Sequence, residues 1–184
     1  PVYNRTISEM GQTLSLKLKC LFGKKKNCFL LLGLDNSGKQ TMLEKIDFER
    51  RENLQTGYTT QLTWYRETTI HSWSLTEGER LRERWCDKIG AVSGLIIVVD
   101  SAAELVQHQK LEVEVWQLMN LQQLARTPLL VFANKQDLKE ALTLEHIIDH
   151  LKLNEIRGRD WQVQACSARS GEGLYEGFKW LVRH

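Results

Sequence analysis

The chain has 184 residues, 42% of them hydrophobic, and a formal net charge of +2 at pH 7. This length and composition indicate a single folded domain with a sizeable core rather than a disordered chain. So small a net charge excludes a general electrostatic attraction to nucleic acid. No apolar run is long enough to span a membrane and nothing resembles a secretory signal, so we expect a cytoplasmic protein.

The four cysteines lie far apart in the sequence and form no C-x-x-C pair. They are Cys20, Cys28, Cys86 and Cys166. Two of them, Cys28 and Cys166, stand in apolar runs that look like strands. The spacing therefore predicts reduced thiols in the core of a cytosolic protein.

Residues 1–26 have a pattern of their own. Leu14, Leu18, Leu21 and Phe22 recur at helical spacing, and lysines surround them. This pattern predicts a basic amphipathic helix that lies on an anionic membrane. The same residues also alternate as a strand would, and a helix packed on the domain explains them as well. Periodicity alone leaves these three interpretations open.

A lipidation motif overlaps this stretch. The run Met10-Gly-Gln-Thr-Leu-Ser15 fits the pattern for N-myristoylation if Met10 is the true start of the protein. Gly11 is then the predicted acceptor of the acyl chain. Because one acyl chain binds membranes only weakly and reversibly, the basic helix would supply the second signal that stable attachment needs.

A phosphate-binding loop is predicted next. An apolar run leads into Gly33-Leu-Asp-Asn-Ser-Gly-Lys39. In such a loop a strand delivers the chain, the glycines let backbone N–H groups converge on a phosphate, and a helix begins beyond them. The residues predicted to contact the phosphates are Asp35, Asn36, Ser37, Gly38, Lys39, Gln40 and Thr41.

The metal position of this loop departs from the pattern. Ser or Thr is expected directly after the lysine, because a short hydroxyl must reach the Mg²⁺ that accompanies the phosphates. Here the residue is Gln40, which is longer and neutral, and Thr41 points about 100° round the helix. We therefore predict a phosphate site with an impaired Mg²⁺ site, and we assign no metal ligand.

The rest of the chain alternates between strand-like and helical patterns. Buried strands are predicted at residues 29–32, 95–99, 129–133 and, more weakly, 161–165. Helical spacing occurs in residues 42–46, among Leu111, Val115 and Leu118, and among Ile147, Ile148 and Leu151. This alternation predicts an α/β fold with a mostly parallel sheet covered on both faces. Residues 58–73 lack a helical stripe and predict an antiparallel edge hairpin.

Two motifs indicate which base the site binds. The strand at 129–133 runs into Asn134-Lys-Gln-Asp137, where the carboxylate of Asp137 can accept hydrogen bonds from N1–H and the exocyclic amine of guanine. Asn134 is predicted to brace the loops, and the stem of Lys135 to lie along the base. After the next strand, the backbone N–H groups of Cys166, Ser167 and Ala168 are predicted to meet the guanine O6.

Together these stretches resemble the ADP-ribosylation factor (Arf) and Arf-like family of small GTPases over nearly the whole chain. Further family-like stretches are Leu21-Phe-Gly-Lys-Lys25, Val98-Val-Asp-Ser101, Val131-Phe-Ala-Asn-Lys-Gln-Asp-Leu138 and Ser170-Gly-Glu-Gly-Leu-Tyr-Glu-Gly177. The resemblance implies a Ras-like domain over 27–184, with a six-stranded, mostly parallel sheet, one antiparallel edge strand and helices on both faces. It implies a monomer that binds GTP or GDP and meets exchange factors and effectors. It also implies peripheral attachment to endomembranes through a myristoylated helix, in vesicle trafficking or signalling.

The chain departs from the family in the first switch segment. Aligned without gaps, the family's Pro-Thr-x-Gly-Phe-Asn falls on Leu54-Gln-Thr-Gly-Tyr-Thr59. Gln55 therefore stands where a threonine would close on Mg²⁺ and the γ-phosphate. Only a shifted loop would let the adjacent Thr56 take its place.

The second switch segment departs as well. The family's Trp-Asp-x-Gly-Gly-Gln falls on Trp73-Ser-Leu-Thr-Glu-Gly78. Ser74 replaces the aspartate that orients the metal shell, and Glu77 replaces the glycine whose N–H meets the γ-phosphate. Gly78 replaces the glutamine that positions the attacking water. Glu77 also brings a repulsive negative charge to the γ-phosphate position.

The altered positions are those that contact Mg²⁺ or the third phosphate in the family. The positions that contact the base and the first two phosphates keep the family's residues. Each lost charge-assisted contact costs roughly 1.5–3 kcal/mol, so several losses can erase a preference for GTP over GDP. Hydrolysis depends on positioning and charge neutralisation, so we expect it to be very weak or absent and assign no catalytic residue. The alternative is a pseudo-GTPase scaffold that binds its partners without regard to nucleotide.

Two other candidate sites have simpler structural explanations. Asp100 ends an apolar strand, as the metal-binding aspartate of an ATPase does, but a residue that caps the strand explains it better. His146 and His150 stand four residues apart on a predicted helix, a spacing that can hold zinc. No third ligand accompanies them, so a solvated helix face is the preferred interpretation.

Overall fold

Six strands form one sheet in the order β2-β3-β1-β4-β5-β6. The computed structural model describes residues 14, 17, 18, 21, 27–46, 60–64, 68–77 and 92–184. The strands are β1 (Cys28–Gly33), β2 (Thr60–Trp64), β3 (Thr68–Ser74), β4 (Gly94–Asp100), β5 (Leu129–Asn134) and β6 (Trp161–Ala165). All neighbouring pairs are parallel except β2 with β3. The predicted α/β fold and its antiparallel edge hairpin are confirmed.

Four helices connect or follow these strands in the described residues. They are α1 (Lys39–Lys45), α2 (Leu105–Met119), α3 (Leu144–His150) and α4 (Leu174–Leu181). The first three coincide with the predicted helical segments, whereas α4 was not predicted. Its Gly177 has low helix propensity, yet a Cβ there would come within 2.4 Å of the Phe132 ring. A glycine is thus required for α4 to pack closely on β5.

The sheet separates two hydrophobic layers. Phe29 and Leu31 face one layer, which the side chains of α1 and α4 complete. Leu30 and Leu32 face the other layer, together with side chains of α2 and α3. Because both faces are covered, β1, β4 and β5 are apolar at nearly every position. Burial of each such side chain stabilises the fold by about 1.5–3 kcal/mol.

Part of the N-terminal segment packs against the domain. The described residues Leu14, Lys17, Leu18 and Leu21 have helical backbone, which excludes the strand interpretation at these positions. Leu18 is fully buried in the same layer as Phe29, with Leu14 and Leu21 against it. Met10 and Gly11 lie outside the described residues. Among the described helices, none has the length and apolar character that crossing a bilayer requires.

Candidate nucleotide-binding site

The predicted phosphate loop joins β1 to α1 and requires its two glycines. A Cβ on Gly33 would lie 2.5 Å from the carbonyl oxygen of Val98 in the neighbouring strand. Gly38 has a φ of +97°, and a Cβ there would lie 2.2 Å from Nδ2 of Asn134. Asn36 also adopts a left-handed conformation, with a φ of 61°. The loop therefore curls tightly where β1 ends, at the edge that carries ligands in such sheets.

The ammonium group of Lys39 lies at the centre of this loop. Its Nζ donates to the carbonyl oxygens of Gly33 and Leu34, at 2.8 and 2.7 Å, and lies 3.5 Å from Oγ of Ser37. Burial lowers the pKa of Lys39 to about 8. A phosphate at the mouth of the loop would supply the negative charge that this partly desolvated cation lacks.

Asn134 ties three loops together. Its Nδ2 donates to the carbonyl oxygen of Ser37 in the phosphate loop, and its Oδ1 accepts from the backbone N–H of Ala168, both at 2.8 Å. The side chain is buried, with 1% of its surface exposed. These contacts are the bracing that the sequence predicts for Asn134. They place the phosphate loop, the Asn134-Lys-Gln-Asp137 loop and the loop after β6 at one edge of the sheet.

The side chain of Lys135 is held by Asp100. Lys135 has a φ of 65°, and its Nζ lies 2.6 Å from Oδ2 of Asp100. The other carboxylate oxygen of Asp100 accepts from the backbone N–H of Ala102 at 3.0 Å. Both oxygens of Asp100 are thus engaged within the protein, which supports the structural interpretation over an ATPase metal ligand. Asp137 is exposed at the same loop, where its carboxylate is open to a base.

The loop after β6 uses its backbone donors internally. The N–H of Cys166 donates to the carbonyl oxygen of Ala133 at 3.0 Å, and the N–H of Ser167 to that of Glu172 at 3.1 Å. An amide of this loop must share or exchange its acceptor to reach the guanine O6, so that contact stays a prediction. The thiol of Cys166 is buried, which raises its pKa. Cys28 and Cys166 are free thiols, whereas Cys20 and Cys86 lie outside the described residues.

Ser74, where the family has its metal-orienting aspartate, contacts the phosphate loop. Its hydroxyl donates to the carboxylate of Asp35 and lies 3.0 Å from Oγ of Thr76. The hydroxyl of Thr76 accepts from the backbone N–H of Asp35 at 3.2 Å. The hydrogen bond from Ser74 is the main cause that lowers the pKa of Asp35. Sequence reasoning missed this link because it depends on the pairing of Gly33 with Ser74 between β1 and β3.

The described donors around the loop do not fit an Mg²⁺ site of the expected kind. The amide of Gln40 donates to Glu44 at 2.8 Å on the exposed side of α1. The hydroxyl of Ser74 is a neutral donor to the carboxylate of Asp35. Mg²⁺ prefers carboxylate and phosphate oxygens in an octahedral arrangement, and among Gln40, Ser74 and Asp35 only Asp35 supplies a carboxylate. The substituted positions Gln55, Thr56 and Gly78 lie outside the described residues.

The predicted helix histidines have a third neighbour. His150 on α3 lies 3.0 Å, Nδ1 to Nδ1, from the buried His108 on α2. The solvated-face interpretation therefore holds for the exposed His146 but not for His150. His108 extends the buried stripe of Leu111, so periodicity could have placed it inward. In the described part of the chain, no three His, Cys, Asp or Glu side chains are grouped to hold a metal.

Comparison with known families agrees with this geometry. The model of the ADP-ribosylation factor family matches residues 14–184. The match covers the phosphate loop, the Asn134-Lys-Gln-Asp137 loop and the loop after β6, which the structure brings to one edge of the sheet. The chain therefore belongs to the ADP-ribosylation factor family of small GTP-binding proteins.

Proposed function

We propose that this protein binds guanine nucleotide through the base and the first two phosphates, with little preference for the third phosphate. The observation that carries the proposal is the side chain of Asn134, which joins the phosphate loop to the loops expected to read the base. Ser74 supports the weak preference for the third phosphate. At the position where the family has a carboxylate, Ser74 has a hydroxyl, and this hydroxyl donates to Asp35. We propose very weak or no GTP hydrolysis for the same reason.

Asp137 and Lys135 carry the base specificity in this proposal. The exposed carboxylate of Asp137 accepts from two neighbouring N–H donors of guanine, which adenine does not present. Asp100 holds Lys135 by an ion pair of 2.6 Å, so its alkyl stem stays at the base site. At the other end of the site, Lys39 and the N–H groups of the loop neutralise the diphosphate.

The first test is to titrate GDP and GTP into nucleotide-free protein with and without Mg²⁺. We expect the two dissociation constants to agree within about threefold, which is less than about 1 kcal/mol, and to change little when Mg²⁺ is removed. The missing metal and γ-phosphate contacts are the reason. A strong preference for GTP that appears only with Mg²⁺ would contradict the proposal.

Asp137→Asn is the matched control for base recognition. The change replaces the carboxylate by an amide, which can also donate a hydrogen bond. Guanine then loses the hydrogen bond from its exocyclic amine, whereas xanthine has a carbonyl in place of that amine and can accept from the new N–H. A switch from GDP to xanthosine diphosphate would assign the binding to this site. Equal loss of both nucleotides would mean that Asp137 acts on the fold instead.

A second candidate is an interaction module that works without nucleotide. Lys39 and Asp35 support it, because both already have partners inside the protein: two backbone carbonyls and the hydroxyl of Ser74. The loop is thus held in shape by its own groups. Purified protein that contains no nucleotide, fails to bind GDP and still binds its partners would favour this candidate over the first.

We also propose that the protein is a monomer attached to the cytoplasmic face of endomembranes, where exchange factors and effectors meet it. The N-terminal helix supports this proposal, because its lysines flank the apolar side chains of Leu14, Leu18 and Leu21. In the structure Leu18 is buried against the domain. Insertion of these apolar side chains into a membrane therefore requires that this face leave the domain.

Vesicle flotation tests the attachment. Protein expressed from Met10 with an N-myristoyltransferase is expected to float with vesicles that contain phosphatidylserine, and Gly11→Ala to abolish flotation by removing the acyl chain. Replacing Lys24, Lys25 and Lys26 by glutamine should weaken binding, since each lysine near an anionic surface contributes about 1 kcal/mol. Equal flotation of the Gly11→Ala protein would contradict the role of the acyl chain.

A further inference from the structure

A chain of polar contacts connects α3 with the loop expected to bind the base. Nδ1 of His150 lies 3.0 Å from Nδ1 of His108, and Nε2 of His108 lies 2.8 Å from the carbonyl oxygen of Asp100. The carboxylate of Asp100 in turn holds Nζ of Lys135 at 2.6 Å. His108 is 2% exposed. The two histidines stand 42 residues apart and meet because α2 packs against α3.

The partners determine where the protons lie. A carbonyl oxygen only accepts, so Nε2 of His108 carries a hydrogen and donates to Asp100. In neutral His108 the other nitrogen, Nδ1, is then an acceptor, and Nδ1 of His150 donates to it. The ring centroids lie 5.2 Å apart, so the two nitrogens face each other head-on. This arrangement suits one shared hydrogen and leaves no room for a metal ion between them.

The pair can accept one proton but not two. A first proton on Nε2 of His150 keeps the bond from His150 to His108. A second proton, on Nδ1 of His108, would point two N–H groups at each other and separate the rings. Burial lowers the pKa of His150, the neighbouring His108 and His146 lower it further, and Asp149 opposes them. The other ionisable groups on α2, on α3 and on the residues that flank these helices are Glu104, Lys110, Glu112, Glu114, Glu145 and Lys152, and Asp100 and Lys135 stand at the ends of β4 and β5.

We propose that His108 is a positioning residue for nucleotide binding: together with His150 it holds Asp100, and through Asp100 it holds Lys135 beside the base. The inference rests on the proposed binding of guanine nucleotide at this site. A second proton on the pair replaces the shared hydrogen by two opposed N–H groups, so the rings separate, and the peptide of Asp100 and the Lys135 stem move with His108. Nucleotide affinity therefore depends on the protonation of the histidine pair.

The test compares the dissociation constant for GDP at about pH 5, well below the usual histidine pKa so that the pair can take up its second proton, with that at about pH 7.5. The glutamine of His108→Gln places an N–H donor near the position of Nε2 but does not titrate. We divide the dissociation constant at acid pH by that at neutral pH, and we expect this ratio to be about three- to tenfold larger for wild type than for His108→Gln. A factor of ten corresponds to a shift of one unit in the pKa of the pair on nucleotide binding. The phosphate of GDP also titrates in this range, but its effect on affinity is the same for wild type and variant and therefore cancels in the comparison.

Two further variants complete the design. His150→Asn removes the second ring but offers an amide N–H in place of Nδ1, so it is expected to lose the pH dependence as His108→Gln does, and it serves if the buried substitution prevents folding. His184→Gln, at an exposed position outside the site, should keep the ratio of wild type. Equal ratios in wild type and both pair variants would overturn the inference and leave the proposed function intact.

Failure to bind GDP at either pH would instead overturn the proposed function. The coupling of the histidine pair to Lys135 is then tested by NMR, which follows the resonances of the ring nitrogens and of the Lys135 amide as the pH changes. We expect the Lys135 amide resonance to follow the titration of the pair in wild type and to stay still in His108→Gln. A Lys135 resonance that ignores the titration in wild type would overturn the inference as well.

Discussion

Lys39→Met is expected to weaken GDP binding about 10- to 150-fold, because the contact of a charged donor with a phosphate is worth about 1.5–3 kcal/mol. Methionine keeps the apolar stem in the loop and removes the ammonium group that donates to Gly33 and Leu34. Titration with a fluorescent GDP analogue measures the loss. Lys179→Met, on α4 and outside the loop, is the control and should bind like wild type.

The pH dependence of GDP binding gives a second measure of the same group. Because Lys39 has a pKa of about 8 in the free protein and bound phosphate raises it, binding above that pH must take up a proton. The affinity is therefore full below the free pKa and falls up to tenfold per pH unit above it, until the pKa of the complex is reached. Lys39→Met should lack this decline. An unchanged wild-type affinity between about pH 7 and 9 would mean that Lys39 does not meet phosphate.

Asn134→Ala is expected to lower the free energy of unfolding by about 2–5 kcal/mol, since it leaves two buried backbone groups without partners at about 1–3 kcal/mol each. These groups are the carbonyl of Ser37 and the N–H of Ala168. For a chain of this size the midpoint of thermal unfolding should fall by about 5–15 °C. Urea unfolding and calorimetry measure the two quantities.

The same variant should lose GDP affinity well below its unfolding temperature, because its three loops are no longer tied together. Asn154→Ala, at an exposed position, is the control and should change the stability by less than about 0.5 kcal/mol. A loss of stability with full GDP affinity would mean that Asn134 serves the fold and not the assembly of the site.

The predictability of each element follows from its surroundings. β1, β4 and β5 are buried on both faces, so their sequences are continuous apolar runs that are recognisable without a structure. β2 and β3 carried a weaker signal that was still sufficient to predict a hairpin. α4 was not predicted, although Leu174, Phe178 and Leu181 recur at helical spacing. Gly177 lowers the helix propensity of this segment, and the ring of Phe132 requires that glycine. That requirement comes from a contact with a distant strand.

In the candidate site too, some contacts could be predicted from the sequence and others could not. The role of Asn134 could be predicted because motif and strand end stand together in the sequence. The contact of Ser74 with Asp35 could not, since 39 residues separate them and only the register of β1 against β3 brings them together. The sequence predicted that the metal position was altered, but not that the replacing hydroxyl bonds to the phosphate loop.

The sequence by itself determined the fold class and the family resemblance, because these depend on local spacing and on runs of apolar side chains. It also predicted which residues should meet base and phosphate. Only the tertiary structure decided which polar groups share a partner. The packing of α2 on α3 brings His108 to His150 and orients it toward Asp100. Hydrogen bonds require groups to lie within about 3 Å, and for distant residues the packing of helices and the register of strands set that separation.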